Sequence, residues 1–276
     1  MFKRILVPTD GSEAASVGVR YAIALAQRRG ATLLGLHVVD VKLLEGPFLR
    51  DLSASLGTAP FVNYQNNITM LLDERGKAAL KAFCELCDAA GVPCETRLAT
   101  GVVPKTIVEN CGLADLVIMG RGGEHNQWLN GLVGSTTEAV ARRSPLPVLV
   151  TGRDTPGYTR FLVAFDGSPH ARQALKTGAA IALTWEMPFH LLTVGGSAEE
   201  ATLDEARRYL QAHKIDVEFV RREGDAGETI VAYAAECAAD LLVMGAYGHS
   251  KVRELVMGST TAHAINHAPC PVLLAR

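Results

Sequence analysis

The chain contains the same stretch of sequence twice. Each copy consists of an aspartate, a short apolar run that ends in Met-Gly, a polar loop and then Gly-Ser-Thr-Thr; the copies occupy residues 115–137 and 240–261. The beginning of a longer unit recurs as well, because residues 2–12 match residues 158–168. A duplication of this length restricts the chain to two copies of one fold.

The length agrees with two domains of ordinary size. The chain has 276 residues and 48% hydrophobic residues, which is enough for each half to bury its own core. We predict domains at residues 1–152 and 158–276. The division lies in the polar segment 151–157, which contains glycine and proline as linkers usually do.

Short apolar runs of strand length alternate with longer helical patterns in each half. Continuous Val, Ile and Leu runs predict strands buried on both faces, and therefore a parallel sheet. We predict two tandem, doubly wound, Rossmann-like α/β domains, each with five strands in the order 3-2-1-4-5 and helices on both faces. The predicted strands are residues 2–8, 32–39, 94–99, 115–119 and 147–151, and then residues 159–165, 188–194, 216–221, 240–244 and 271–275.

The last strand of each half is apolar and would be an adhesive edge if it were left bare. These strands, Pro147–Thr151 and Pro271–Ala275, belong to matching stretches of the two halves. We predict that they meet across an internal pseudo-two-fold axis, so that one chain forms a built-in dimer. Further pairing of separate chains as a homodimer is a second possibility.

The halves differ most between their second and third strands. The first half uses residues 40–93 there, with a Pro- and Gly-containing stretch at Gly46–Pro60 and a helix predicted near residues 68–90. This extra segment, within residues 41–75, is either a lid or docking surface, or a loop that covers its own core. We favour the packed loop because long loops often have only that role.

Glycine and hydroxyl residues follow the fourth predicted strand of each half, where it leads into a helix. Ligands of doubly wound sheets bind beyond the carboxyl ends of the strands, where the strand order reverses. Backbone N–H groups at such a helix start converge where phosphate oxygens would sit. The pattern therefore indicates a phosphate-binding turn. The alternative is that the glycines serve only the geometry of the turn.

An aspartate follows the first strand of each half, Asp10 in one and Asp166 in the other. A carboxylate at this point can accept hydrogen bonds from ribose hydroxyls or an adenine amine. A turn aspartate that bonds its own backbone is the other interpretation. Recurrence of the aspartate in both halves keeps both interpretations open.

The residues resemble the universal stress protein family, specifically a tandem member. The resemblance covers nearly the whole chain and includes Ile-Leu-Val-Pro-Thr-Asp-Gly-Ser near the start, Leu36-His37-Val38-Val39, and a Pro-x-Pro-Val ending in each half. The family's ATP-binding branch carries Gly, two residues, Gly, nine residues, Gly, then Ser or Thr. Residues 245–259 match that spacing, whereas ten residues separate Gly123 from Gly134.

The resemblance implies ATP as the ligand, with or without Mg²⁺. We expect no catalytic residue and no resident metal site, because the sequence offers no convincing acid cluster beyond Asp10 and Asp166. The loop cations Arg121, His249, Lys251 and Arg253 either add positive charge to the sites or are solvated side chains, and we favour solvated side chains. The implied binding residues are Pro8, Thr9, Asp10, Val39, Met119, Gly120, Gly123, Gly134, Ser135 and Thr136 in the first half, and Ala164, Phe165, Asp166, Val194, Met244, Gly245, Gly248, Gly258, Ser259, Thr260 and Thr261 in the second.

Other classes of site lack their signatures. The chain has no G-x-x-x-x-G-K-[ST], no G-x-G-x-x-G after a first strand, and no G-x-S-x-G. Cys84 and Cys87 form C-x-x-C inside a helical pattern, away from the helix start where a thiol pKa would be lowered. His263 and His267 lie four residues apart without an evident third ligand.

The composition of the chain limits the classes of partner that it can bind. The net charge is −2 with cations scattered along the chain, which argues against a nucleic-acid surface. No run reaches the length of a membrane span, and the start has no signal-peptide pattern, so we expect a cytoplasmic protein with six reduced cysteines.

The sequence therefore favours a nucleotide-dependent stress-response or regulatory protein whose protein partners are unidentified. The alternatives are a weak ATP hydrolase or nucleotidyl-transfer enzyme, and an interaction scaffold that binds no nucleotide.

Overall fold

The computed structural model describes residues 2–44, 58–122, 133–152, 157, 159–196, 200–246 and 258–276. Several predicted features lie outside these residues. They are Gly123 and Gly248, the loop cations His249, Lys251 and Arg253, and residues 45–57 of the first-half insertion.

The described strands form one continuous sheet of ten strands. Its order is β3-β2-β1-β4-β5-β10-β9-β6-β7-β8. Each half therefore has the predicted order 3-2-1-4-5, and the strands within each half are parallel. The strands are β1 Arg4–Pro8, β2 Thr32–Asp40, β3 Cys94–Gly101, β4 Leu116–Met119, β5 Val148–Val150, β6 Phe161–Ala164, β7 Phe189–Val194, β8 Val217–Arg222, β9 Leu242–Gly245 and β10 Val272–Ala275.

Helices occupy the crossovers between the strands. The first helix of each half begins after a capping serine. Ser12 Oγ accepts from Ala15 N at 3.2 Å, and Ser168 Oγ accepts from Ala171 N at 3.1 Å. A 3₁₀ turn, Asn110–Leu113, comes directly after the helix Val103–Glu109. The α-helices are α1 Glu13–Arg29, α2 Val41–Leu44, α3 Thr58–Ala89, α4 Val103–Glu109, α5 Ser135–Arg143, α6 Pro169–Trp185, α7 Glu200–Ala212, α8 Ala226–Glu236 and α9 Ser259–His267.

Helix α3 begins earlier than the sequence pattern predicts. The predicted start is near residue 68, but the helix runs from Thr58 and includes Pro60 in its first turn. Proline is tolerated there because the first N–H groups of a helix have no intrahelical acceptor. The prediction treated Pro60 as part of the preceding loop, and this is why it placed the helix start too late.

The two halves join through their last strands. Strand β5 pairs with β10 in antiparallel register, with Leu149 opposite Leu273, and this confirms the predicted meeting of the closing strands. The hydrophobic core forms one cluster on each face of the sheet, and both clusters contain residues of both halves. The burial of apolar surface thus continues across the junction. Pairing between separate chains stays a prediction.

The aspartate that opens each repeated motif lies at the amino end of the sheet. Asp115 Oδ2 accepts from Lys3 N at 2.8 Å and Arg4 N at 2.9 Å. Asp240 Oδ2 accepts from Thr159 N at 2.6 Å and Arg160 N at 3.3 Å. Each carboxylate thus ties the start of the first strand to the start of the fourth, which places the two strand ends that flank the predicted site side by side.

Candidate functional site

A cavity of about 270 Å³ lies at the carboxyl edge of the first half, between the ends of β1 and β4. Its volume is near the lower limit, about 300 Å³, of typical small-molecule sites. The cavity brings together nine of the ten first-half residues that the sequence predicts; the tenth, Gly123, lies outside the described residues. The nine are Pro8, Thr9, Asp10, Val39, Met119, Gly120, Gly134, Ser135 and Thr136.

The loop after β1 supplies Thr9 and Asp10. Thr9 N donates to Leu36 O at 2.9 Å, and Ser12 N donates to Asp10 Oδ1 at 2.9 Å. One carboxylate oxygen of Asp10 therefore bonds its own backbone, as the turn interpretation expects. Asp10 still lines the cavity and is only half-buried.

His37 projects from β2 into the same cavity, and the sequence prediction did not include it among the site residues. Its Nδ1 lies 2.9 Å from Thr9 O, and because a carbonyl only accepts, the proton is on Nδ1. The ring is 8% exposed. The available signal was a polar, titratable side chain in the middle of an otherwise apolar strand.

The second side of the cavity is the start of α5. Gly134 is the N-cap residue, with φ −65° and ψ 147°, and its N–H donates to Arg121 O at 2.7 Å. Glycine has no side chain with which to cap the helix, so Gly134 leaves the first N–H groups of α5 without the kind of cap that Ser12 gives α1. Ser135, Thr136 and Thr137 follow, and all three line the cavity.

Gly120 follows β4 and Gly245 ends β9, and each glycine lies against the first helix of its half. A Cβ atom at Gly120 would overlap Ala14 O of α1. A Cβ atom at Gly245 would lie 2.8 Å from His170 Cβ and 2.9 Å from His170 C of α6. The glycines therefore permit close packing of the first helix of each half on the end of the fourth strand.

The second half reproduces this backbone arrangement with different side chains. Phe165 N donates to Leu192 O at 2.9 Å, as Thr9 does to Leu36, but the Phe165 side chain is 3% exposed and belongs to the hydrophobic core. Asp166 Oδ1 accepts from Ser168 N at 3.0 Å. The turn is therefore conserved between the halves, while its polar threonine is replaced by a core residue.

The strand ends differ as well. Register places Leu36 opposite Pro8 and Leu192 opposite Ala164, so Val194 corresponds to Val38, and Gly195 corresponds to Val39. Gly195 has φ 60° and ends β7, whereas β2 continues to Asp40. The wall that Val38, Val39 and Asp40 give the first-half cavity is thus shortened in the second half.

The other predicted residues of the second half are largely buried. Ala164, Val194 and Met244 are at most 8% exposed, and Thr261 is 2% exposed. Thr261 Oγ1 donates to Gly245 O at 3.4 Å, as Thr137 Oγ1 donates to Gly120 O at 3.0 Å. This threonine thus fixes the helix to the strand. Gly258, Ser259 and Thr260 form the start of α9.

Helix α3 forms an outer wall of the first-half cavity. Leu72 and Arg75 line it, and Gly76 lies so close to β2 that an added Cβ would be 2.7 Å from His37 Cδ2. The insertion therefore contributes to the site through α3. The sequence had no periodic signal for which turn of α3 faces the site.

Arg121 is not a solvated loop cation, contrary to its interpretation from sequence. Its guanidinium is part-buried and donates to four backbone carbonyls, which are Thr151 O at 3.1 Å, Asn266 O at 3.3 Å, Cys270 O at 3.4 Å and Ala268 O. The carbonyls of the carboxyl end of α9 attract a cation. These bonds hold the Arg121 guanidinium at the junction between the halves.

The C-x-x-C pair, Cys84 and Cys87, and the histidine pair, His263 and His267, pack against neighbouring side chains of the fold. Cys84 Sγ lies 3.5 Å from Cys94 Sγ, and burial raises the pKa of Cys84 to about 11 and that of Cys87 to about 12. The His263 and His267 rings stack at 4.3 Å. Among the described residues, no group of three or more His, Cys, Asp or Glu side chains is arranged to hold a metal ion.

These features define a class of protein. It is a tandem, doubly wound α/β protein whose halves share one sheet and whose first half has a cavity at the strand-order reversal. The model of the Universal stress protein family matches residues 1–152 and 195–276. The chain belongs to the universal stress protein family.

Individual proteins agree with this assignment. The chain is 32% identical to Universal stress protein Slr1230 of Synechocystis sp. over 286 residues, which is 99% of this chain and 100% of that protein. It is 30% identical to Universal stress protein MJ0577 of Methanocaldococcus jannaschii over 55% of this chain and 96% of the relative.

A solved structure supports the fold. The universal stress protein from Archaeoglobus fulgidus DSM 4304 superposes with a TM-score of 0.77, covering 99% of this chain and 96% of its own, at 22% identity.

In the described part of the chain, no helix has both the length and the apolar character needed to cross a membrane.

Proposed function

We propose that this protein binds an adenine nucleotide, ATP with or without Mg²⁺, in the cavity of the first half, and that it acts as a nucleotide-dependent regulatory protein in a stress response. One observation carries the proposal. The start of α5, with Gly134 as its N-cap, lines the same cavity as Asp10. An anion-binding end and a hydroxyl-binding end therefore border one space.

The phosphates fit the α5 end of the cavity. Backbone N–H groups at a helix start and the positive end of the helix dipole favour a negatively charged group. Ser135 and Thr136 add hydroxyl donors, and Arg75 of α3 adds a positive charge to the cavity wall. This set suits a polyphosphate better than a neutral ligand.

The nucleoside fits the β1 and β2 end. Asp10 already accepts from Ser12 N, but each carboxylate oxygen has two lone pairs and can accept a further bond from a ribose hydroxyl. Leu36, Val38 and Val39 provide an apolar wall for a base. The family resemblance implies the same assignment of these two ends.

Binding is favoured over turnover. Two carboxylates of the described residues line the cavity, and both serve local turns: Asp10 accepts from Ser12 N at 2.9 Å, and Asp40 accepts from Lys42 N at 3.0 Å. Phosphoryl transfer needs a group that positions the nucleophile and carboxylates that hold the metal. A bound ATP would act by stabilising one conformation, through a difference in affinity between two states.

The test compares nucleotide bound by the full chain and by two matched variants. Gly134→Val and Gly258→Val change equivalent N-cap residues, whose φ and ψ are −65° and 147° in one case and −59° and 144° in the other. Valine adopts both conformations without strain. We expect Gly134→Val to weaken ATP binding about tenfold or more, which corresponds to about 1.4 kcal/mol.

Mass analysis of the nucleotide released from purified protein, and calorimetric titration with ATP, provide the two readouts. Gly258→Val should leave first-half binding unchanged. Loss of binding only with Gly258→Val would move the site to the second half, and no binding by the unaltered chain would refute the proposal. ADP that accumulates with added ATP and Mg²⁺ would establish hydrolysis instead.

A further inference from the structure

The contacts of Arg121 and Val133 link the proposed site to the other half of the chain. Arg121 follows Gly120 at the end of β4, and Val133 precedes Gly134 at the start of α5. The guanidinium of Arg121 donates to Asn266, Ala268 and Cys270 carbonyls. Val133 N donates to Asn266 Oδ1 at 2.7 Å.

Both flanks of the cavity loop are therefore attached to one short segment, residues 266–270, at the carboxyl end of α9. The flanks are also bonded to each other, because Gly134 N donates to Arg121 O at 2.7 Å. Asn266 is itself held in place, since its Nδ2 donates to Ala262 O at 2.8 Å. Gly120 and Gly134, two residues that line the cavity, are thus each next to a residue that is bonded to the second half.

The carboxyl end of α9 is a favourable place for the guanidinium of Arg121. The last carbonyls of α9 lack intrahelical donors and carry the negative end of the helix dipole, so a guanidinium satisfies both. Asn266 Oδ1 accepts a hydrogen bond from the backbone N–H of Val133, the residue before Gly134. Bonds to a charged donor in a part-buried place are stronger than those between neutral groups.

The residues at the corresponding positions of the other half cannot make these contacts. Aligning Gly120 with Gly245 and Ser135 with Ser259 places Ala246 opposite Arg121, and Arg142 opposite Asn266. Alanine has no side-chain donor, and arginine has no side-chain acceptor. At these two aligned positions, the side chains that make the attachment therefore belong to the first-half loop, which is the loop whose glycine spacing departs from the family pattern.

We infer that Arg121 and Asn266 are positioning residues for the first-half nucleotide site, so that the carboxyl end of α9 in the second half sets the geometry of the phosphate-binding turn. The inference rests on the proposed function for its ligand. It adds that a single half would not hold the turn in its binding geometry.

Two pairs of variants of the full chain test this. Asn266→Leu removes the acceptor of Val133 N. Asn266→Asp keeps that acceptor and loses only the bond from Nδ2 to Ala262 O. Arg121→Met keeps the apolar stem and removes the donors. We expect Asn266→Leu and Arg121→Met to weaken ATP binding about tenfold each, and Asn266→Asp to lose less affinity than Asn266→Leu, because it keeps the acceptor of Val133 N.

Arg276→Met is the matched control. Arg276 Nη2 donates to Ala141 O near the end of α5, so it is also an arginine of one half bonded to a helix carbonyl of the other. We expect its variant to bind ATP as the unaltered chain does, although both arginine variants remove a bond between the halves.

Hydrogen exchange of the peptide that contains Val133 gives a readout that needs no nucleotide. Its amide should exchange faster in Asn266→Leu than in the unaltered chain or in Asn266→Asp. Faster exchange with unchanged ATP affinity overturns the positioning role, as does an equal loss of affinity in Arg276→Met. If the unaltered chain binds no ATP, the proposed function fails and the positioning role fails with it.

Discussion

Replacing Gly245 with alanine tests the packing role that the structure gives to the glycine at the end of β9. The added Cβ would lie 2.8 Å from His170 Cβ and 2.9 Å from His170 C. The second of these is a backbone atom, so no change of rotamer relieves the contact. Helix α6 must move away from the sheet, or the strand end must shift.

The expected sign differs between the two roles of this glycine. If Gly245 served only the approach of a ligand, alanine would stabilise the strand by about 0.5–1 kcal/mol, because glycine loses more backbone entropy on folding. Overpacking against a helix backbone costs about 1–3 kcal/mol. We therefore expect the free energy of unfolding to fall by about 1–2 kcal/mol, and the Tm by about 2–4 °C per kcal/mol.

Urea unfolding followed by circular dichroism measures the change. Gly112→Ala is the control, because an added Cβ at Gly112 meets no atom within 4 Å. That variant should be as stable as the unaltered chain or more stable by up to about 1 kcal/mol, because alanine loses less backbone entropy on folding than glycine does. A Gly245→Ala protein as stable as the control, or more stable, would refute the packing argument.

Four further substitutions, at Cys270, Asp240, Asp115 and Leu273, have defined outcomes. Burial raises the pKa of Cys270 from 9.0 to about 12, so only the unfolded thiol ionises in between and the free energy of unfolding falls as pH rises, by about 1.4 kcal/mol per pH unit. Urea unfolding at several pH values should give Cys270→Ala a shallower fall, and equal slopes would contradict the assignment. Asp240→Ala removes the acceptor of two exposed N–H groups and should lower the free energy of unfolding by about 0.5–1.5 kcal/mol, as should Asp115→Ala; no loss in either would remove the proposed tie between strands. Leu273→Ala at the junction should lower it by about 2–5 kcal/mol in the same assay, whereas Leu183→Ala, at a side chain 54% exposed, should change it little; equal effects would argue against a packed junction.

The sequence predicted the strands well because their signals are local. All ten predicted strands are present within about two residues of their observed bounds. Continuous apolar runs indicate burial on both faces without reference to any partner. Ser12 and Ser168 likewise identify helix starts, since an N-cap hydroxyl bonds an amide three residues away.

Residues that lie close in sequence to a strand end were also predicted as site residues. Thr9, Asp10, Gly134 and Ser135 gather at one cavity because parallel strands place their carboxyl ends at one edge of the sheet. The reach of helix α3 across that edge was not predictable, because the position of Arg75 depends on how a long helix crosses β2.

The duplicated sequence by itself determined the fold class, the strand order of each half and the edge at which the first-half cavity forms, because each follows from periodicity and repeated motifs within short spans. Only the tertiary structure decided that Gly120 and Gly245 serve helix packing, and that Arg121 bonds a helix end 145 to 149 residues away. Such contacts join residues that are far apart in the sequence and share no motif, so they cannot be predicted before the fold brings those residues together.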